Sequence, residues 1–194
     1  MEKCCLVFIA ALFCQTAFCQ KEAFNWYFGN QAAINFSSGT PVALTNSAMN
    51  QSEGCATISD TSGSLLFYTS GVTVYNRNHT VMLNGNGLLG NTTSAQSSII
   101  AKMPLSDSLY YIFTIPDWVV SGALRYSIVD MSLDNGNGAV TQKNIVLHPN
   151  AAEQVTSVLH GNCKDIWIVS HEKGTQNFLS YQLTDVGLVT TPVI

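Results

Sequence analysis

Ser97-Ser98-Ile99-Ile100-Ala101, a turn at Ser106-Asp107-Ser108, then Tyr110-Tyr111-Ile112-Phe113-Thr114: this stretch decides the fold. Both apolar runs are short, rich in β-branched and aromatic residues, and bounded by turn formers, so they read as strands. The second does not alternate. An unbroken apolar run of this length belongs to a strand covered on both faces. Leu124-Arg125-Tyr126-Ser127-Ile128-Val129 and Lys143-Asn144-Ile145-Val146-Leu147 follow as a third and a fourth strand.

The same plan stands on either side. Before it come Gly54 to Ser59, a turn at Asp60-Thr61-Ser62-Gly63, Leu65-Leu66-Phe67-Tyr68-Thr69, Val72 to Tyr75 and Thr80 to Leu83. After it come Val155 to Leu159, a turn at Gly161 to Asp165, Ile166-Trp167-Ile168-Val169-Ser170, Phe178 to Leu183 and Leu188 to Val193. Leu66, Tyr111 and Ile166 mark the three second strands and stand 45 and 55 residues apart. Four antiparallel strands every ~40–50 residues is the blade period of a β-propeller. Such a blade is apolar on both faces and must stack on neighbours. Asn25 to Gly29, Ala32 to Phe36 and Pro41 to Leu44 match strands two to four of a further blade. The expected fold is therefore all-β, with about three and a half propeller blades. A two-sheet sandwich is the competing arrangement, but the thrice-repeated turn plus apolar second strand favours the propeller.

Composition agrees. Only 10% of the 194 residues are charged, against 46% hydrophobic, so polarity rests on Asn, Ser, Thr, Gln and Gly. Coiled coils and charge-driven disorder are excluded by that balance. Eight basic against twelve acidic residues, net −4, exclude a nucleic-acid binder, which needs clustered Lys and Arg.

Residues 1–19 read as a secretory signal peptide: a polar head with Lys3, an apolar run from Cys4 to Phe13, and small residues Ala17 and Cys19 before the cut. The run is too short to span a membrane, which needs about 20 residues. Residues 20–194 form one domain, a partial propeller, expected to be secreted or at the cell surface. Cys55 and Cys163 are the two cysteines left in it. Export permits a disulfide between them, but two buried thiols on different strands is the favoured reading.

Several strings go beyond generic propeller features. They include Asn25-Trp26-Tyr27-Phe28-Gly29-Asn30, Glu53-Gly54-Cys55-Ala56-Thr57-Ile58-Ser59-Asp60, Gly63-Ser64-Leu65-Leu66-Phe67-Tyr68-Thr69 and Lys164-Asp165-Ile166-Trp167-Ile168-Val169-Ser170-His171-Glu172. As a set, over residues 24–194, the chain resembles the N-terminal propeller of large secreted proteins of Bacteroidota-type bacteria. Many of these carry a C-terminal sorting domain tied to gliding motility and type IX secretion. The resemblance implies fold and location rather than chemistry. Those proteins continue through more blades, so further blades are expected in a full-length chain, of which this one is then a fragment.

Chemical motifs are sparse. His171 and Glu172 could form an acid–base pair at a blade edge, but adjacent strand residues point to opposite faces. His160, Cys163 and His171 are zinc-type ligands without a fourth partner or a finger spacing. No metal site and no cofactor are expected. Asp60-Thr61-Ser62-Gly63 has one residue too many for the Asp-box turn of sialidase-type propellers; it reads as a hairpin with Asp bound to backbone N–H groups and Gly at positive φ. Asp134 to Gly138 lacks the spaced carboxylates of a calcium loop, and Asn84-Gly85-Asn86-Gly87 lacks the Lys and helix of a phosphate cradle. Asp117 and Trp118 sit in a long connection where an aromatic ring can stack on a sugar or peptide. Trp26 and Trp167 lie in apolar strands and are expected in the core.

The expected function is a binding or interaction module without intrinsic catalysis, taking a protein or glycan ligand. Asp117, Trp118, His171 and Glu172 are its candidate binding residues. A propeller hydrolase or lyase, its carboxylates mostly in missing blades, is one alternative. A structural part of an adhesion or gliding-motility assembly is the other.

Overall fold

The computed structural model describes residues 21–194 apart from 116 and 118–121. The predicted signal peptide lies outside the described residues. Those residues hold fourteen strands, two short 3-10 turns at Lys21–Ala23 and Asp134–Gly136, and no α-helix. The all-β expectation is met. No helix among them is long and apolar enough to cross a membrane.

Three strands open the chain: β1 (Asn25–Phe28), β2 (Ala32–Asn35) and β3 (Val42–Leu44), an antiparallel sheet in that order. Then β4 (Ala56–Ser59), β5 (Leu65–Thr69), β6 (Thr73–Asn76) and β7 (Val81–Asn86) form an antiparallel meander. Next, β8 (Ser98–Lys102), β9 (Leu109–Thr114) and β10 (Gly122–Asp130) meander into β11 (Ala139–Leu159). Last, β11 pairs with β12 (Ile166–Glu172), which pairs with β13 (Phe178–Thr184) and then β14 (Gly187–Leu188). A single parallel pair, Ala139 with Leu83, joins β7 to β11. Through it eleven strands form one sheet that curls nearly closed, like a barrel.

Two boundaries differ from the sequence reading. The strands expected at 143–147 and 155–159 are one 21-residue strand, β11. Its first half pairs with β10 and its second with β12, and Ala151 pairs with Gly122 on one side and Glu172 on the other. Pro149 falls inside it at a register shift, between the Leu124–His148 and Gly122–Ala151 pairs, where the missing N–H does least harm to a ladder. The expected strand at 188–193 is reduced to β14 plus one bridge from Val193 to Ser180.

The core explains the unbroken apolar runs. On β9, Tyr110 and Ile112 pack with Leu66, Phe67, Val74, Met82 and Val129. The alternate residues, Tyr111 and Phe113, pack with Val155, Ile168, Leu179, Tyr181 and Leu183. One strand thus serves two interfaces, and alternation sends successive rings to opposite sides. A third cluster joins Tyr27 and Ala33 of the first sheet to Met49 and Tyr68. Apolar layers therefore alternate with successive meanders.

Turn chemistry follows the sequence closely. Asp60 Oδ1 accepts from the N–H groups of Ser62 (2.8 Å) and Ser64 (3.0 Å), and Gly63 adopts φ +93°. Partial burial works to raise the Asp60 carboxyl, but the Ser62 hydroxyl and the backbone donors prevail and hold it below the usual carboxylate range.

His79, in the β6–β7 turn, ties the first sheet to the β4–β7 meander. Its Nε2 lies 2.8 Å from the Asn46 amide, and its Nδ1 3.3 Å from the Tyr68 hydroxyl. Asn46 Oδ1 already accepts from the Tyr27 hydroxyl at 3.2 Å, and the imidazole stands against the rings of Tyr27 and Tyr68. With Asn46 donating, Nε2 must accept, so the neutral ring fits and a second ring N–H would face a donor. Burial lowers the His79 pKa from its ordinary value. A depressed folded-state pKa gives stability that is present above the unfolded value, about 6.5, and is lost as pH falls through the folded one. The thermal midpoint of the chain is therefore expected to fall between pH 7 and pH 5. His79→Asn keeps the left-handed backbone at φ 61° tolerable and should flatten that part of the profile. Superimposable melting profiles for the two proteins would contradict this.

Candidate functional site

The connections that lead from one meander to the next meet at one end of the molecule. Gly54 N donates to Ser94 O at 3.1 Å, Gly90 N to Gly71 O at 2.9 Å, and Ile115 N to Ser97 O at 3.1 Å. The Ser97 hydroxyl donates to Ser70 O at 3.1 Å and also bonds Gly54 O. Asp117 is placed here, its Oδ2 accepting from the Thr93 hydroxyl at 2.8 Å. Two residues on, Ala95 N donates to Glu153 Oε1 at 2.7 Å. The segment 93–96 thus bridges the Asp117 loop to the middle of β11. Trp118 lies outside the described residues.

His171 ends β12 on the uncovered face of the last meander. Its ring meets Phe178, its cross-strand partner, edge-on at 5.1 Å between centroids. A shallow cleft of about 420 Å³ opens beside them, lined also by Gln96, Gln154, Thr156 and Val169. No Asp, Glu, Lys or Arg lines it.

Glu172 turns the other way, as strand alternation requires. Its Oε1 lies 3.4 Å from His148 Nε2, and its Oε2 accepts from the Asn177 amide at 2.9 Å. The Asn177 bond, opposed by slight desolvation and helped by His148, holds the Glu172 carboxyl below its ordinary value. The fully buried Tyr181 hydroxyl has no hydrogen-bond partner among the described residues. Burial first, and the Glu172 charge second, push that phenol up. The structure therefore does not join His171 to Glu172; it brings Glu172 to His148 instead. Sequence reasoning missed His148 because 24 positions separate the two, and only the continuity of β11 past Pro149 sets them side by side.

The other sequence candidates separate. Cys55 and Cys163, the cysteines among the described residues, are both free. Cys55 is half-buried, and its thiol donates to Tyr27 O at 3.3 Å. Cys163 is exposed in the β11–β12 turn at φ 58°, so the reading of two buried thiols fails for it. His160 sits at that turn and meets the Trp167 ring at a tilt, at the far end of β12 from His171, roughly 20 Å away at about 3.3 Å per residue. Among the described residues no three His, Cys, Asp or Glu side chains stand close enough to hold a metal ion. The glycine-rich 84–87 stretch, which closes β7, aims oxygens at a charge: Lys143 Nζ donates to Asn84 Oδ1 at 3.0 Å and Asn86 O at 2.7 Å. Such a strand end suits a cation, here the chain's own.

Compared with known proteins, the chain matches no family model, no curated protein and no solved structure.

Proposed function

We propose that the chain is a secreted or cell-surface binding module built as part of a β-propeller, without intrinsic catalysis. Its four-stranded meanders and the apolar layers between them support radial stacking of blades. The observation that carries the binding role is the His171–Phe178 cleft, a partly aromatic recess without Asp, Glu, Lys or Arg in its lining, at the end where the connections gather. Asp117 flanks that end, and a protein or glycan ligand suits its chemistry. The resemblance to Bacteroidota-type surface proteins agrees with such a role, and a further blade would cover the same face.

A hydrolase or lyase reading draws support from one feature, the His148–Glu172 pair beside the Tyr181 hydroxyl. A structural role in an adhesion or motility assembly draws on the apolar side chains left uncovered, with Val158 and Phe178 more than half exposed. Incubating the chain with a panel of glycosides, lactones and peptides is expected to give no turnover. Turnover that disappears in His148→Ala or Glu172→Ala would replace the binding role with the enzymatic one.

A further inference from the structure

β1 sends Tyr27 into the core and turns Trp26 and Phe28 to its other face. Trp26 remains 54% exposed, against the expectation that it is core. The exposure is not that of a loose side chain. The indole N–H donates to Ala23 O at 2.9 Å, and the ring meets Phe36 edge-on at 5.1 Å. A large aromatic surface held open to water gives up burial worth about 25 cal/mol per Å², which singles the position out.

Beside it lies a cleft of about 660 Å³, lined by Glu22, Trp26, Phe28 and Ile58 together with Asn25, Thr57 and Cys55. The last three offer a ligand little. The Asn25 amide donates to Ser59 Oγ and Gly63 O, both at 2.9 Å, while its oxygen accepts from Asn35 at 2.7 Å. The Thr57 hydroxyl accepts from Tyr27 N at 3.0 Å, and it and the Cys55 thiol donate to Tyr27 O. Glu22 has no hydrogen bond or ion pair among the described residues, and Lys21 does not line the cleft. An adjoining cleft shares Glu22 and adds Asp60 and Asp107 against Lys102, so its lining holds three carboxylates to one amine.

The recess thus combines aromatic faces, one free carboxylate and no spare side-chain donor. A sugar would pair only one or two of its hydroxyls there, with the single carboxylate, and a primary ammonium brings three donors for that one group. A quaternary ammonium asks for no hydrogen bond, is attracted to aromatic faces, and is neutralised by a carboxylate. On one strand face, Trp26 and Phe28 stand about 6.6 Å apart along the backbone, room for a methylated nitrogen to lie against both. Building on the binding role above, we propose that the Trp26–Phe28–Glu22 cleft is a site for a quaternary ammonium group of the choline type, free or as a lipid headgroup.

The test is a titration of the full chain with choline chloride at constant ionic strength, read by tryptophan fluorescence and by calorimetry. The control ligand is 3,3-dimethylbutan-1-ol, which has the shape of choline without the charge. Saturable choline binding is expected, at least about tenfold weaker in Trp26→Ala, partly retained in Trp26→Phe, and several-fold weaker in Glu22→Gln. Phosphatidylcholine vesicles that retain the chain in a Trp26-dependent way would identify the headgroup as the source; soluble choline binding alone would identify the free cation. Equal binding of the neutral isostere, an unchanged response in Trp26→Ala, or no saturation at tens of millimolar choline would overturn the proposal. His171→Ala and Phe178→Ala should leave the titration unchanged, so this site and the His171 cleft can fail separately.

Discussion

Phe113→Ala is expected to destabilise the chain by about 3–5 kcal/mol, the usual cost of deleting a buried ring without collapse of the cavity. Phe113 has no exposed surface and sits in the layer between β9 and the β11–β13 sheet, among Ile168, Leu179, Tyr181 and Leu183. Tyr111 flanks it in parallel at 6.2 Å and Tyr126 at a tilt at 6.3 Å. Urea denaturation measures the loss, with an unchanged m-value marking a native-state effect. Val158→Ala is the matched control. Val158 is 56% exposed on the uncovered face, so its loss should fall within about 0.5 kcal/mol. Comparable costs at the two positions would mean that the apolar layer between the last two meanders does not form.

That contrast also shows what was legible in the residues. The run Tyr110 to Phe113 identified a strand covered on both sides, and β9 is such a strand, feeding two clusters by simple alternation. Asp60, Ser62 and Gly63 identified their hairpin because a turn is decided by neighbours in sequence. The same local logic failed at Trp26. An apolar strand residue is buried only if something packs on its face, and among the described residues the first sheet has one neighbour, not two. It failed again at Pro149, where local chemistry argues for a break but tertiary pairing with β10 and β12 carries the strand through. The His148–Glu172 pair was illegible for the same reason: it is a product of that continuity, not of spacing. How the sheets close into a larger architecture depends on packing angles, which leave no periodic trace in the residues.

Gly54→Ala tests the junction rather than the layers, and it is expected to cost about 2–3 kcal/mol and lower the thermal midpoint by roughly 5–10 °C. Gly54 has no left-handed backbone to explain it. What requires glycine is proximity. A Cβ there would run into Ser97 N and come within 2.8 Å of Gln96 Cα and 2.9 Å of its carbonyl carbon. These are main-chain atoms, so no rotamer change relieves the clash. Moving them means moving the segment whose Ser97 hydroxyl holds Gly54 O and Ser70 O, and whose residues 93–95 reach Asp117 and Glu153. The damage should therefore spread to the His171 end, visible as faster amide exchange at Ile115 and Val155 as well as at Gly54's own neighbours. Gly161→Ala separates this from a generic glycine effect, because Gly161 has ordinary φ and open space around it. Its cost should stay within about 0.5 kcal/mol. If Gly54→Ala is as mild as Gly161→Ala, the two connections do not touch, and the end of the molecule that gathers Asp117, Gln96 and His171 has no common support.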